Sequence, residues 1–476
     1  MHWLALHLLV RTAPATAEAP SASAPTLLPA PPSAERLVPD DATPPAPPLD
    51  AAPAPSPSPS PPSPTVPAPA PSPAVPAPSP AAPAPSPPSP TALDATPAGA
   101  PFTLPAPGGT ALTLAGYVET YYGYNFNRPS NGLTNFRAFD NRHNALTLQN
   151  VVFDAHWQAP RVHARLAFQF GQTPATYYLA SEPAQAGTAG AAPSDPSVVR
   201  AIQQAYAGFR PFRRAPVFVE AGIFLSPIGF ESLAIRDNWH WSYSPLFFAL
   251  PFYHSGIHVG VEPAAGHALK AVVYNGWNNV IDNNREKSLG LTYDFTPGPR
   301  LALGAVYLAG VERPTGAPEG RPWRHVLNFN LKVAPLRRLA LGGNRNGGVE
   351  PGAFGPSRWF ASALQGRVQL FEWLYLAARG SYVREERARS AAGVAAPILL
   401  PYASDDPSQW FAAGTVTLDI RPVPVHLALK LEYRHDQVHQ PAFFRGQVEG
   451  EGTDAAPFIA NARAQDTLTL GLHAWF

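Results

Sequence analysis

From Thr110 onward the chain alternates. In Val162–Phe170, Val162, Ala164, Leu166, Phe168 and Phe170 face one way, and His163, Arg165, Ala167 and Gln169 face the other. Further on, Val425, Leu427, Leu429, Leu431 and Tyr433 alternate with His426, Ala428, Lys430 and Glu432, a set continued by Arg434. The last ten residues set Leu468, Leu470, Leu472, Ala474 and Phe476 against Thr467, Thr469, Gly471, His473 and Trp475. A repeat of two predicts strands whose faces meet different surroundings. Sixteen such segments are predicted, at 111–127, 145–158, 161–172, 200–210, 216–225, 253–262, 267–277, 287–296, 300–310, 323–333, 338–345, 357–370, 373–388, 409–420, 424–434 and 465–476. Most approach the ~9–11 residues of a tilted membrane strand.

The connections alternate too. Tight ones rich in Pro, Gly or Arg, such as Ala159-Pro160, 211–215, 263–266, 297–299 and 421–424, are interleaved with longer ones at 128–144, 173–199, 226–252, 278–286, 311–322, 346–356, 389–408 and 435–464. Short turns at one rim and long loops at the other are the pattern of a bacterial outer-membrane barrel. The predicted fold class is therefore all-β: a closed antiparallel transmembrane β-barrel of about 16 strands, spanning 110–476. A Greek-key sandwich is the competing architecture, but it gives no reason for strict alternation of loop length. An even strand count puts both termini on the short-turn side, which is the periplasmic one. The terminal strand ending in Phe476 reads as a closing strand and as the signal handed to the barrel-assembly machinery.

Composition narrows the choice. Charged residues are 14% of the chain, against roughly 25% in soluble domains. With no cysteine, disulfide scaffolds, thiolate zinc sites and cysteine nucleophiles are excluded. A net charge of +1 implies no nucleic-acid partner. No apolar run reaches the ~18–20 residues of a membrane helix, so a membrane role requires a barrel. The head of the chain differs. About half of the 61 prolines lie in the first 100 residues, in Pro/Ala/Ser text that cannot bury a core. Residues 18–109 are read as a disordered or polyproline spacer hanging in the periplasm. Residues 1–17 read as a poor or truncated signal peptide, since Arg11 follows the apolar stretch instead of preceding it.

A charge on the lipid face costs ~2–4 kcal/mol near the midplane, so the alternation assigns charges to the lumen. The predicted pore lining is Glu119, Asp154, Arg165, Glu220, Lys270, Lys332, Arg367, Arg379, Lys430, Glu432 and Arg434, with Glu262 and Asp294 beside them. It is mixed in sign and points to small hydrophilic solutes, with no cation or anion choice. Each of these charges could equally stiffen the wall as a salt bridge. Tyr121, Tyr122, Tyr124, Phe126, Trp157, Trp373, Tyr375, Trp410 and Trp475 fall near strand ends, as interfacial girdles do.

The third long loop, 226–252, is unusually apolar for an external one. It is expected to fold into the lumen and narrow it, with Glu231, Arg236, Asp237, Asn238, Trp239, His240 and Trp241 at the constriction. A subunit interface is the other reading of the same loop. Gly222-x-Phe224-x-Ser226-Pro227-x-Gly229-x-Glu231, then Pro251–Gly256, then Tyr274–Asn279 with Asp282–Ser288, resembles the OmpL-like family of outer-membrane β-barrel porins. The likeness runs from about Leu114 to Phe476 and is strongest between Gly222 and Ser288. It implies an outer-membrane barrel that passes small solutes. No established functional residue comes with it, and the Pro-rich head is not part of the pattern.

Asn275, Asn278, Asn279, Asp282, Asn283 and Asn284 crowd one hairpin tip. They read as turn formers bonding their own backbone, with an oxygen-ligand Ca²⁺ site as the alternative. His254 and His258 lie four apart, ~13 Å along a strand, which is too far for one metal ion. Phosphate-loop, nucleophile-elbow and His-Glu-x-x-His motifs are missing; no enzyme activity, cofactor or metal is predicted. Three functions remain. The first is a porin in the bacterial outer membrane, surrounded by its lipid. The second is a structural or adhesive anchor with a closed barrel. The third is a rim lipid hydrolase, for which His163, His426 and His473 are the places to look. Trimers are common among sixteen-strand porins, and the chain carries no interface signature of its own.

Overall fold

The computed structural model describes residues 102–177, 196–400, 406–453 and 455–476. The signal and most of the spacer predicted for 1–109 lie outside the described residues. Sixteen strands follow one another: β1 (Thr110–Asn125), β2 (Ala145–Gln158), β3 (Val162–Phe170), β4 (Ile202–Phe209), β5 (Val217–Leu225), β6 (Tyr253–Val261), β7 (His267–Tyr274), β8 (Ser288–Gly298), β9 (Leu301–Val311), β10 (Trp323–Leu336), β11 (Leu339–Gly352), β12 (Gly355–Phe371), β13 (Leu374–Glu386), β14 (Ser408–Val423), β15 (Leu427–Val438) and β16 (Ala464–Trp475). Every strand pairs antiparallel with its sequence neighbours, and β16 returns to β1 from Thr467↔Asn125 to Trp475↔Tyr117. The sheet is therefore a closed barrel with no free edge around its wall.

At the seam, the Phe476 N–H donates to the Gly116 carbonyl at 3.0 Å, and the Gly116 N–H donates to Phe476 O at 3.3 Å. Below this seam β1 is extended by a short strand, Phe102–Ala106, which pairs with Thr110–Leu114. β2 occupies the opposite edge of β1 over the same residues, so the short strand sits on the β16 side, past the last β16–β1 pair, Trp475↔Tyr117. The turn needs Gly108 and Gly109, both at positive φ (76° and 74°). The spacer boundary at 109 is thus corrected: its last residues are sheet, because Thr103 and Leu104 offer the same alternation as the strands proper.

Pleat and faces follow the sequence pattern. Leu166, Phe168, Phe170, Leu431, Tyr433, Leu468, Leu470 and Leu472 are exposed on the outer face, while Gln169, Lys430, Glu432 and Arg434 are buried inside. Two expectations fail. The predicted loop 346–356 is strand: β11 and β12 run on to Gly352↔Gly355 and meet at Ala353-Phe354. Asn346, Gly347 and Gly348 read as the start of a loop, but they sit in the ladder beside Trp359. A Cβ on Gly348 would lie 2.1 Å from the Trp359 ring. The girdle reading also fails at Tyr121, Tyr375 and Trp475. Tyr121 and Trp475 are buried inside, and Tyr375 lies under Arg367 and Arg421, with guanidinium carbons 4.6 and 5.0 Å from its ring. Strand parity, not nearness to a strand end, decides which side an aromatic takes.

Candidate functional site

Loop 226–252 turns inward and lies along the inner wall from β10 round to β2. The motif residues around it fasten its base. Ser226 Oγ lies 3.1 Å from His254 Nε2, and His254 Nδ1 lies 3.0 Å from the Gly276 carbonyl. The His254 ring stacks on Tyr274 at 4.0 Å. Asn278 takes φ +57°; its side chain accepts the Phe252 N–H at 2.5 Å, and its carbonyl accepts the Tyr253 hydroxyl. Gly256 is obligatory here, since a Cβ would lie 2.0 Å from the Val273 carbonyl. Asp282 and Asn284 accept the N–H groups two residues on, of Asn284 and Glu286, at 3.0 and 2.8 Å, as turn formers do, while the Asn284 amide also donates across to the Val311 carbonyl at 2.9 Å.

The body of the loop is held by wall residues that the alternation assigned to the lumen. Glu119 accepts the Ile235 N–H at 2.7 Å. Lys430 donates to the carbonyls of Ile235, at 2.9 Å, and Asn238. Glu432 accepts the Trp241 and Ser242 N–H groups at 2.6 and 3.0 Å. Arg379 donates to Glu231 Oε1 at 2.6 Å and to Ser242 O at 2.9 Å. Arg434 donates to the Tyr243 carbonyl and pairs with Asp436 at 2.6 Å. Lys332 sits 5.9 Å over the Phe230 ring, Arg367 5.7 Å over Trp239 and Arg236 5.9 Å over Tyr117. Within the loop, Asn238 closes on Ser232 through two hydrogen bonds of 2.7 and 2.8 Å, and Asp237 lies 3.8 Å from Arg236.

These wall charges cap peptide groups that would otherwise be unmet in a dry interior. Lys430 is 0% exposed and Glu432 and Arg434 are each 1% exposed. The remaining predicted lining residues lie elsewhere on the wall. Asp154 and Arg165 pair at 2.6 Å and are partly exposed. Glu220 bridges His163 and His258 at 2.9 and 3.3 Å. Lys270 is half-buried between Gly260 and Thr292. The loop's seat thus runs from Asn330 and Lys332 on β10 round to Glu119 on β1 and Gln149 on β2, while Asp154, Arg165 and Glu220 are paired among wall residues outside it.

Sequence reasoning missed several residues of the seat. Gln149 accepts the Trp241 indole N–H at 3.1 Å. Thr417 Oγ lies 2.8 Å from both Glu432 Oε2 and His240 Nδ1. Asn330 donates to the Gly229 carbonyl at 2.8 Å. Gly471 is occupied in effect by Trp241, whose ring would lie 2.0 Å from a Cβ there. Only Gly471 carried a signal, as a small residue on the inward face of a strand otherwise made of larger ones.

An apolar layer lies above the polar seat. Phe136 of the first long loop, Ile228, Phe230, Leu246 and Leu250 of the third, Leu399 and Leu400 of the seventh and Phe443 of the eighth pack against Val272, Val306, Leu308, Val326, Val383 and Phe411 on the inner wall. Phe136, Phe411 and Phe443 meet edge to face, with centroids 5.6 to 6.2 Å apart. The expected polar lining is interrupted here: an apolar cluster shares the long-loop half of the inner face with buried polar side chains such as Glu312, Glu350, Glu385 and Asp436. The three histidines suggested for hydrolysis are otherwise engaged. His163 bonds Glu220, His426 Nδ1 lies 3.1 Å from the Trp475 carbonyl, and His473 stacks on Trp475 at 4.9 Å.

His240 adds a pH response. Burial, then the nearby cations Arg379, Lys430 and Arg434, hold its proton affinity well below the ordinary imidazole value. Glu432 lies 3.9 Å from its Nδ1. A depressed folded value means that the seat is at full strength above the unfolded value of ~6.5 and weakens as pH falls below it. Acidification from pH 7.5 to 5 is expected to loosen the loop, seen as easier tryptic cleavage at Arg236. In His240→Gln the change is expected to shrink; an equal pH response in that variant would remove His240 from the account.

The family model described as "Putative beta-barrel porin-2, OmpL-like" matches residues 111–474. No curated protein matches the chain. Among solved structures, OmpT of Vibrio cholerae is similar at 10% identity over 79% of this chain and 100% of that one, with a TM-score of 0.46. The outer membrane channel DcaP of Acinetobacter baumannii is similar at 10% identity over 78% and 99%, with a TM-score of 0.46. An anion-selective porin from Comamonas acidovorans is similar at 10% identity over 77% and 100%, with a TM-score of 0.48. The fold rests on the strand registers, not on these distant likenesses. With a family match over nearly the whole barrel and a ring of sixteen antiparallel strands, the chain belongs to the OmpL-like family of outer-membrane β-barrel porins.

Proposed function

We propose that this barrel is a non-enzymatic porin that passes small hydrophilic solutes, and that loop 226–252 narrows its lumen. The observation that carries the reading is the set of buried charge-assisted bonds from Glu119, Arg379, Lys430, Glu432 and Arg434 to the loop's peptide groups. A loop held this way is a fixed wall element, not a mobile external one. The charged group of Asp154, Arg165, Glu220 and Lys270 then lines the passage. In this reading outer-membrane lipid surrounds the apolar belt. The assembly machinery reads the strand that ends in Phe476. Both termini, and the Pro-rich segment with them, face the periplasm.

The apolar layer of the first, third, seventh and eighth loops favours a second reading, a closed barrel serving as an anchor. Planar-bilayer recording of the refolded full chain separates the two. Discrete current steps are expected for the porin, and silence from a demonstrably folded barrel would decide for the anchor. Deleting Glu231–Ser244 is expected to raise the unit conductance several-fold. An unchanged value would sink the narrowing role.

A further inference from the structure

A charge on the outer face of a barrel is costly near the membrane midplane and tolerated at the interface, where it meets head groups. Among the described residues, the wall strands turn arginine outward at Arg345 of β11, Arg358 of β12 and Arg384 of β13, and lysine nowhere. The three strands are adjacent, and the three arginines surround one exposed ring. Phe360 stands directly opposite Arg384 in the ladder and two residues from Arg358 on the same face. The guanidinium carbon of Arg345 lies 4.9 Å from the Phe360 ring. Arg358 is opposite Glu386, so Arg384 is its diagonal neighbour, ~7–8 Å away and within reach of a long side chain. Arg384 pairs with Glu386 at 2.6 Å. Arg345 and Arg358 are exposed and have no ion-pair partner among the described residues. Three cations thus stand with one carboxylate.

Their depth is set by the strands. Arg384 lies ten residues beyond Leu374, the first residue of β13, and a tilted strand crosses the bilayer in ~9–11 residues. Phe371 and Trp373, exposed and stacked at 5.8 Å, stand at the short-turn rim. Trp410, opposite Arg384, and Tyr382, with its ring 6.4 Å from that of Trp410, stand at the other. Arg358 and Arg384 are therefore level with the aromatic belt on the long-loop side, where head groups lie. Arg345 starts deeper and brings its head up to Phe360, with its stem along the wall.

Four residues further down the same strands the wall is hollow. A groove of about 600 Å³ opens outward over Leu364, Gly366, Ala378, Gly380, Gly414 and Val416. Gly380 is opposite both Leu364 and Gly414, and a Cβ on Gly380 or Gly414 would meet nothing within 4 Å. The floor is bare backbone in a belt that leucine and phenylalanine cover elsewhere. Cations at the interface with an apolar trough beneath them match an amphiphile with an anionic head. A second copy bringing this same face would set like charges against each other. We propose that this face holds an anionic phospholipid of the long-loop leaflet: its phosphate accepts from Arg345, Arg358 and Arg384 around Phe360, and one acyl chain lies in the trough over Gly366, Gly380 and Gly414. The inference deepens the reading that outer-membrane lipid surrounds the belt and rests on that reading, not on solute passage.

The test is native mass spectrometry of the full chain, refolded in detergent and titrated with phosphatidylglycerol or phosphatidylcholine of identical acyl chains. In the choline lipid the head group already carries a cation beside its phosphate. Phosphatidylglycerol is expected to be retained at least several-fold more tightly. Arg345→Gln with Arg358→Gln is expected to weaken it roughly tenfold, the loss of hydrogen bonds to a charged group, and to leave the choline lipid unchanged. Gly380→Leu fills the trough from open space and is expected to weaken both lipids several-fold. Inorganic phosphate in excess is expected to displace neither. The band shift of unheated protein on a denaturing gel shows that each variant is folded. Equal retention of the two lipids, phosphatidylglycerol binding unchanged in the double variant, or displacement by inorganic phosphate overturns the site. An oligomer that retains no lipid and comes apart in Gly380→Leu also overturns it, because a second copy then covers the face. Selective retention with a silent bilayer leaves the lipid site standing and removes the porin; current steps with equal retention do the reverse.

Discussion

Replacing Glu432 by alanine is expected to detach the Trp241–Ser242 segment and raise the unit conductance several-fold. Glu432 accepts both peptide N–H groups of that segment and the Thr417 hydroxyl, and it is 1% exposed. Removing it takes the acceptor from two buried peptide N–H groups and from the Thr417 hydroxyl, and a countercharge from among Arg379, Lys430 and Arg434. Breaking such a buried constellation costs on the order of 3–5 kcal/mol, enough to release the Trp241–Ser242 segment from the wall. Glu432→Gln keeps one acceptor and is expected to fall between the two. Tryptic cleavage at Arg236 gives a readout that does not depend on current. A protected Arg236 together with an unchanged conductance in Glu432→Ala would remove this carboxylate from the loop's hold.

Gly471→Val is the second substitution with a large expected effect. The Trp241 ring lies 2.0 Å from where a Cβ would stand, and Trp241 is itself clamped by Gln149 at its indole N–H and by Glu432 at its peptide. Two added methyl groups and a Cβ have no free volume to enter. Overpacking of this kind costs ~1–3 kcal/mol. The strand cannot yield without breaking its register with Tyr121 in β1 and Lys430 in β15, so the loop must give. Gly471→Val is expected to expose Arg236 to trypsin, raise conductance and lower the temperature at which the barrel loses its compact form on a denaturing gel. Trp241→Ala in the same background is expected to restore much of that temperature, as two residues in contact are coupled. Additive losses in the double variant would mean that the two positions do not meet.

The same geometry gives the motif around the loop a physical content. Gly222 at φ +143° would place a Cβ 2.1 Å from the Ala205 carbonyl, and Gly256 is just as tight against Val273. Ser226 with His254, and Asn278 with Phe252 and Tyr253, tie the point where the chain leaves β5 and returns through β6. These residues turn the third loop inward and are its anchor.

The sequence by itself determined the barrel. A period of two sorts each strand into a lipid face and an inner face, and a charge on the wrong one is costly, so Leu429, Leu431 and Tyr433 could only face out and Lys430 and Glu432 only in. Loop lengths carried the antiparallel order, because a tight turn can only join neighbours. Both are local properties, written within ten residues. What the inward charges do was not local. Lys430 reads identically whether it lines water or caps the Ile235 carbonyl, since that partner lies 195 positions away. Val306, Val326 and Phe411 looked like ordinary strand residues, until four loops from different parts of the chain met over them. Positions 346–352 misled because Gly and Asn are loop formers by propensity, whereas here closeness to Trp359 and a run of ladder pairs made them strand. Tertiary structure alone decided which inward polar groups form a seat for the loop and which, such as Glu220 with His163 and His258, pair along the wall. The physical reason is that burial turns a charge from a solvated wall group into an obligatory partner of whatever covers it.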